Sequence, residues 1–134
     1  MTPAELLRKE AANWLREAAK DRHAAQILLE PEPSRSVFFC QQAAEKAAKA
    51  FLTFHQIAFR KTHDLKDLGL QCVTGGPKPW ADSADVEELT DYASAFGYPD
   101  APYEPDAAEA AEALAVAAKL CDAVQRRIES AQEP

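Results

Sequence analysis

Residues 38–52, FFCQQAAEKAAKAFL, carry an odd choice of polar groups for a helix that only has to pack. Gln42, Glu45, Lys46 and Lys49 together would suit a ligand or a second subunit that needs amide, carboxylate and ammonium groups at once. If that ligand carries phosphate, the lysines supply the neutralising charge. The plainer alternative is a solvated face with a Glu45 to Lys49 pair at i,i+4, worth about 0.3 kcal/mol. A second set follows at Arg60, Lys61 and His63. A histidine that titrates near neutrality beside two cations is what metal-free cleavage of a phosphodiester would require. His63 would move the proton, and Arg60 or Lys61 would hold the developing negative charge. His63 could equally open a helix and hydrogen-bond to Asp21 or to a backbone carbonyl. Of the remaining histidines, His55 is expected to pack at the edge of an apolar arc and His23 to lie on the surface.

Asp21 is the third oddity. It projects between Trp14, Ala25 and Leu28 on a helical wheel, where an ionised carboxylate is costly unless paired. Lys46, Lys49, a glutamine of the 38–52 stretch or His63 could pair with it, and bracing the fold is the expected role. If the pair is buried, Asp21→Ala should cost on the order of 3 kcal/mol.

Helices must position these groups. Leu7, Ala11, Trp14, Ala18, Ala25, Leu28 and Leu29 recur at spacings of three, four and seven, which predicts a first helix over residues 4–29. PEPS at 31–34 interrupts it and can start the next, expected over 34–56. On that second helix Phe39, Cys40, Ala43, Ala44, Ala47, Ala48, Ala50, Phe51 and Phe54 share a core side, whose alanines let a neighbour approach closely. The opposite arc carries Gln41, Gln42, Glu45, Lys46, Lys49, Thr53 and Gln56, with Phe38 and Leu52 among them. A polar arc with two large apolar residues is expected to be covered by a protomer or a ligand. Thr62 can cap a short third helix that Gly75, Gly76 and Pro77 end, and Ser83 a fourth that stops before Gly97. Pro105 suits the first turn of a long fifth helix to about residue 131. Short loops between helices predict an all-α, five-helix antiparallel up-and-down bundle forming one domain over 1–134.

Composition bounds the function. The 134 residues are 47% hydrophobic with a formal charge of −7, which argues against a surface that grips nucleic acid by bulk electrostatics. The distribution is uneven. Residues 35–66 hold six basic groups against two acidic, whereas residues 82–134 hold thirteen acidic against three basic. Phosphate contact, if any, belongs to the central segment. Cys40, Cys72 and Cys121 fit no paired metal-ligand or redox spacing and read as reduced, mostly buried thiols. No metal site and no cofactor is expected. The absence of a long apolar run and of a secretory pattern in MTPAELLRKE points to a cytoplasmic protein without a membrane span.

Trp14 with Asp21 and Ala25, QQAAEKAAKAFL at 41–52, THDLKDL at 62–68 and LTDYASAFGYPD at 89–100 together resemble the bacterial and archaeal HEPN domain family. The likeness spans nearly the whole chain. It implies a five-helix bundle, usually dimeric, often encoded beside a minimal nucleotidyltransferase and often one half of a toxin and antitoxin pair. It also implies nucleotide or RNA binding and, in many members, metal-independent ribonuclease activity from an arginine and a nearby histidine. Arg16 and His23 are the one pair at the family's spacing, with six residues between them. They fall on the first helix, away from where the catalytic pair is expected and opposite Trp14. Gly97 precedes Tyr98 and Pro99, where similar members carry an arginine, so a phosphate-binding donor is missing. Two readings follow. One is a homodimeric nucleotide- or RNA-binding module that assembles with a nucleotidyltransferase, with Gln42, Glu45, Lys46, Lys49 and Lys61 as its contacts. The other is a ribonuclease toxin using His63 with Arg60 or Lys61. The acidic total and the absent pair favour the first.

Overall fold

The structure, a computed structural model, describes residues 1–57 and 104–130. The described residues form three helices and no strand: α1 (Pro3–Leu28), α2 (Pro33–Phe54) and α3 (Ala107–Ser130). The expected third and fourth helices, with Thr62, Ser83 and Cys72, lie outside the described residues. None of the three helices is long and apolar enough to cross a membrane.

Each helix end has a local cause. α1 starts one residue before the expected Ala4 because Thr2 caps it. The Thr2 hydroxyl accepts from the Glu5 amide, the Glu5 carboxylate accepts from the Thr2 amide, and Pro3 occupies a first-turn position that needs no N–H. α3 opens the same way, with Asp106 and Glu109 bonded reciprocally to each other's amides. α2 ends without a glycine. The Ile57 amide donates to the Leu52 carbonyl at 2.8 Å and the Gln56 amide to the Thr53 carbonyl at 3.1 Å, which is the Schellman pattern. It requires a left-handed residue, and Gln56 supplies it at φ 57°. Ile57 then packs against the core that contains Leu52.

Helix packing follows from side-chain size. Ala11, Ala18 and Ala25, seven apart on α1, are fully buried, as are Ala43, Ala44, Ala47, Ala48 and Ala50 on α2. Two alanine surfaces let the axes approach closely, and the bulk of the core comes from Phe51, Leu52, Leu120, Val124 and Ile128. α1 and α2 run antiparallel, locked by the buried Ser36 hydroxyl, which donates to the Ala25 carbonyl at 2.6 Å. α3 runs in the same direction as α2. Its early residues Ala110, Ala113 and Ala117 cluster with Val37 and Cys40, and its later residues with Ala47, Phe51 and Leu52. Unbroken alternation through five helices would instead set the first and last helices parallel. Here they are antiparallel, so strict up-and-down order does not describe the three helices seen.

Candidate functional site

α2 packs against both α1 and α3, and that central place corrects the two-arc reading of its wheel. Leu52 is fully buried and belongs to the chain's own core. Its cover is intramolecular, so it asks for neither protomer nor ligand. Gln41 is 8% and Glu45 5% exposed, and both are engaged by partners. Glu45 therefore does not lie on an open face beside Lys46 and Lys49. The outer stripe of α2 is narrower: Arg35, Phe38, Gln42, Lys46, Lys49 and Thr53, with Phe38 half-exposed.

This stripe meets α1 in a polar seam. Lys46 Nζ donates to Asp21 Oδ2 at 2.5 Å, with both side chains mostly withdrawn from water. Of the partners available to Asp21, it is Lys46 that the antiparallel register brings opposite. A charge-assisted bond of this kind is strong for its size. It also occupies the ammonium group that would otherwise meet phosphate. One turn further on, Lys49 Nζ lies 5.3 Å from the centre of the Trp14 ring, a cation–π contact. Trp14 is half-buried, backing onto the core with its other edge toward Glu10, Asn13, Glu17 and Thr53. Exposed Glu17 is held below its usual carboxylate range by a hydrogen bond from Lys20, reinforced by that lysine's charge.

The described histidines stand apart from this seam. His55 follows the last turn of α2, against the rings of Phe51 and Phe54, and its Nε2 is buried without a hydrogen bond. Burial, aided by the positive charge of Arg127, holds its pKa below the ordinary value. His23 and Arg16 are both exposed on α1, and Arg16 donates to Asn13 at 2.7 Å. Both described cysteines are poor nucleophiles. Burial pushes the Cys40 thiol up to about 12 despite a bond to the Ser36 hydroxyl, and the Cys121 thiol to about 11. Cys121 donates weakly to the Ala43 carbonyl at 3.8 Å. Arg60, Lys61 and His63 lie outside the described residues.

The HEPN domain family model matches residues 11–128, most of the chain. The chain belongs to the HEPN domain family. The matched span of this HEPN domain begins at Ala11 and ends at Ile128, both core positions, so it contains the packed body of all three helices. No curated protein and no solved structure matches the chain.

Sequence reasoning overlooked two residues that the geometry makes prominent. Ser36 ties α1 to α2 and left only a weak signal, a serine three residues after Pro33. Arg22 lies between α1 and α3, and a lone arginine beside Asp21 in the sequence carries no signal of its own.

Proposed function

We propose that this HEPN domain is a nucleotide- or RNA-binding module, a homodimer that works with a minimal nucleotidyltransferase as one component of a toxin and antitoxin pair. The observation that carries this reading is the family match over residues 11–128, since nucleotide and RNA binding are associated with the family. The chain is taken as a single five-helix domain, three of whose helices are described above. Gln42 and Lys49 on the outer stripe of α2, with Lys61, are its proposed contacts. Lys46 contributes by exchanging Asp21 for phosphate, and Glu45 by holding the site from inside. Asp21 is the bracing carboxylate, and half-exposed Phe38 is the proposed dimer contact.

Binding is favoured over cleavage because the chain is acidic, with a formal charge of −7, and its one arginine–histidine pair at the family's spacing, Arg16 and His23, is exposed on α1. The second reading, a metal-independent ribonuclease using His63 with Arg60 or Lys61, rests on the basic run alone. Incubating the purified protein with labelled RNA separates the two. Under the binding reading the RNA is retained and stays intact, and replacing Lys49 and Arg60 by alanine weakens retention and flattens its salt dependence. Metal-independent cleavage, lost in His63→Ala with folding unchanged, would establish the enzyme instead, because a general base acts in the transition state.

A further inference from the structure

The polar seam between α1 and α2 is built as a series of rungs. On α1, Glu10, Trp14, Glu17 and Asp21 recur at spacings of four, three and four, so they share one face. On α2, Lys46, Lys49 and Thr53 recur at three and four and meet that face in antiparallel order. Lys46 answers Asp21, and Lys49 answers the Trp14 ring. Thr53 is the next position, and it brings a hydroxyl where the two before it bring ammonium groups. Beyond the Lys49 rung lies a pocket of about 350 Å³ lined by Glu10, Asn13, Trp14, Glu17 and Thr53. No lysine or arginine lines it. Glu10 is exposed and makes no ion pair or side-chain hydrogen bond among the described residues. Glu17 bonds Lys20 through Oε1 alone, and Trp14 adds the open part of a half-buried indole. The pocket thus combines carboxylates with an aromatic surface and holds no cation of its own.

We infer that this pocket is a docking point for an arginine side chain from a basic segment of a partner protein. The aliphatic stem of an arginine packs along an apolar surface while its head stays polar, and here the Trp14 indole is that surface. The planar fork of the head matches a carboxylate through two parallel N–H bonds. Glu10 offers such a carboxylate uncommitted, and Glu17 adds negative charge beside it. A guanidinium placed there completes the third rung, doing for Glu10 what Lys46 does for Asp21. An ammonium group reaches the same place but cannot fork across two oxygens. The formal charge of −7 favours encounter with a basic partner. Neither Glu10 nor Thr53 is among the proposed nucleic-acid contacts, so the inference does not rest on that reading.

Titration of the full chain at low ionic strength with a capped glycine pentapeptide carrying arginine at its centre tests the inference. The readout is the Trp14 indole N–H signal in a nitrogen-correlated NMR spectrum; the chain has two tryptophans, and Trp80→Phe assigns it. The arginine peptide should shift the signal saturably. The same peptide with citrulline, the neutral isostere, should not, and with lysine it should bind more weakly. Glu10→Gln should weaken the arginine peptide about threefold, the loss of one partly screened ion pair. Thr53→Lys sets an ammonium in the open rung and should abolish the shift while the denaturation midpoint stays or rises, a result that misfolding cannot imitate. No saturable shift with the arginine peptide, equal affinity for the citrulline or lysine peptide, or unchanged affinity in either variant would overturn it.

Discussion

The two faces of α1 treat charge in opposite ways. Toward α2, Asp21 meets Lys46 at hydrogen-bond distance and Trp14 takes the Lys49 ammonium on its ring. Toward α3, Arg22 reaches only a distant, exposed carboxylate and leaves a buried N–H without an acceptor. The first face is internally satisfied, so its polar groups hold two helices in register. The second leaves a guanidinium only partly answered. Charge by itself therefore marks neither face as functional; what separates them is whether the fold has already answered each donor.

Breaking the satisfied face should have the largest effect. Asp21→Ala is expected to cost about 2 kcal/mol, less than the 3 or more of a fully buried pair because Lys46 keeps some contact with water. Removing Lys46 at the same time, as Asp21→Ala with Lys46→Met, should recover part of the loss in a double-mutant cycle by chemical denaturation. A single-variant midpoint equal to wild type would show that the seam contributes nothing. Ser36→Ala should cost about 1 kcal/mol, because it deletes a buried bond and leaves the Ala25 carbonyl without that donor. Gln56→Gly runs the other way. Glycine enters the left-handed region freely, and the variant should be more stable by about 0.5 kcal/mol, seen as a higher denaturation midpoint.

On the incomplete face the expected change is smaller still. Arg22→Met should alter stability by less than about 0.5 kcal/mol, since a long contact to an exposed aspartate is weak. A loss as large as that of Asp21→Ala would erase the contrast between the faces. The slightest effect concerns pH. His55 has a depressed pKa in the folded protein, so near and below the ordinary histidine pKa of about 6.5 the unfolded chain binds the proton more readily. Its contribution is complete above that value and is lost as the pH falls toward the folded pKa. The stability gap between wild type and His55→Gln should therefore shift against the wild type on acidification, and a gap independent of pH would disprove it.

Much of the helical frame was legible in the chain. The seven-residue recurrence of Ala11, Ala18 and Ala25 announces a close-packed face, and proline at 31 and 33 announces the break before α2. The end of α2 was not legible to the residue, because a glutamine in the left-handed position carries no glycine signal. The burial of Gln41, Glu45 and Leu52 escaped the wheel for a different reason. A wheel assumes one wet side, and α2 is covered from more than one direction.

The sequence by itself determined that this is a helical HEPN domain with an alanine-rich helix face and a net positive balance over residues 35–66, since spacing and composition are properties of the chain alone. Only the tertiary structure decided which charge meets which. Asp21 had four possible partners and found Lys46 because antiparallel packing of α1 and α2 brings residues 25 positions apart to hydrogen-bond distance. Arg22, one residue along, points a different way, since successive residues on a helix are about 100° apart. It faces α3, where Asp122 stands 3.7 Å away and its Nε finds no acceptor.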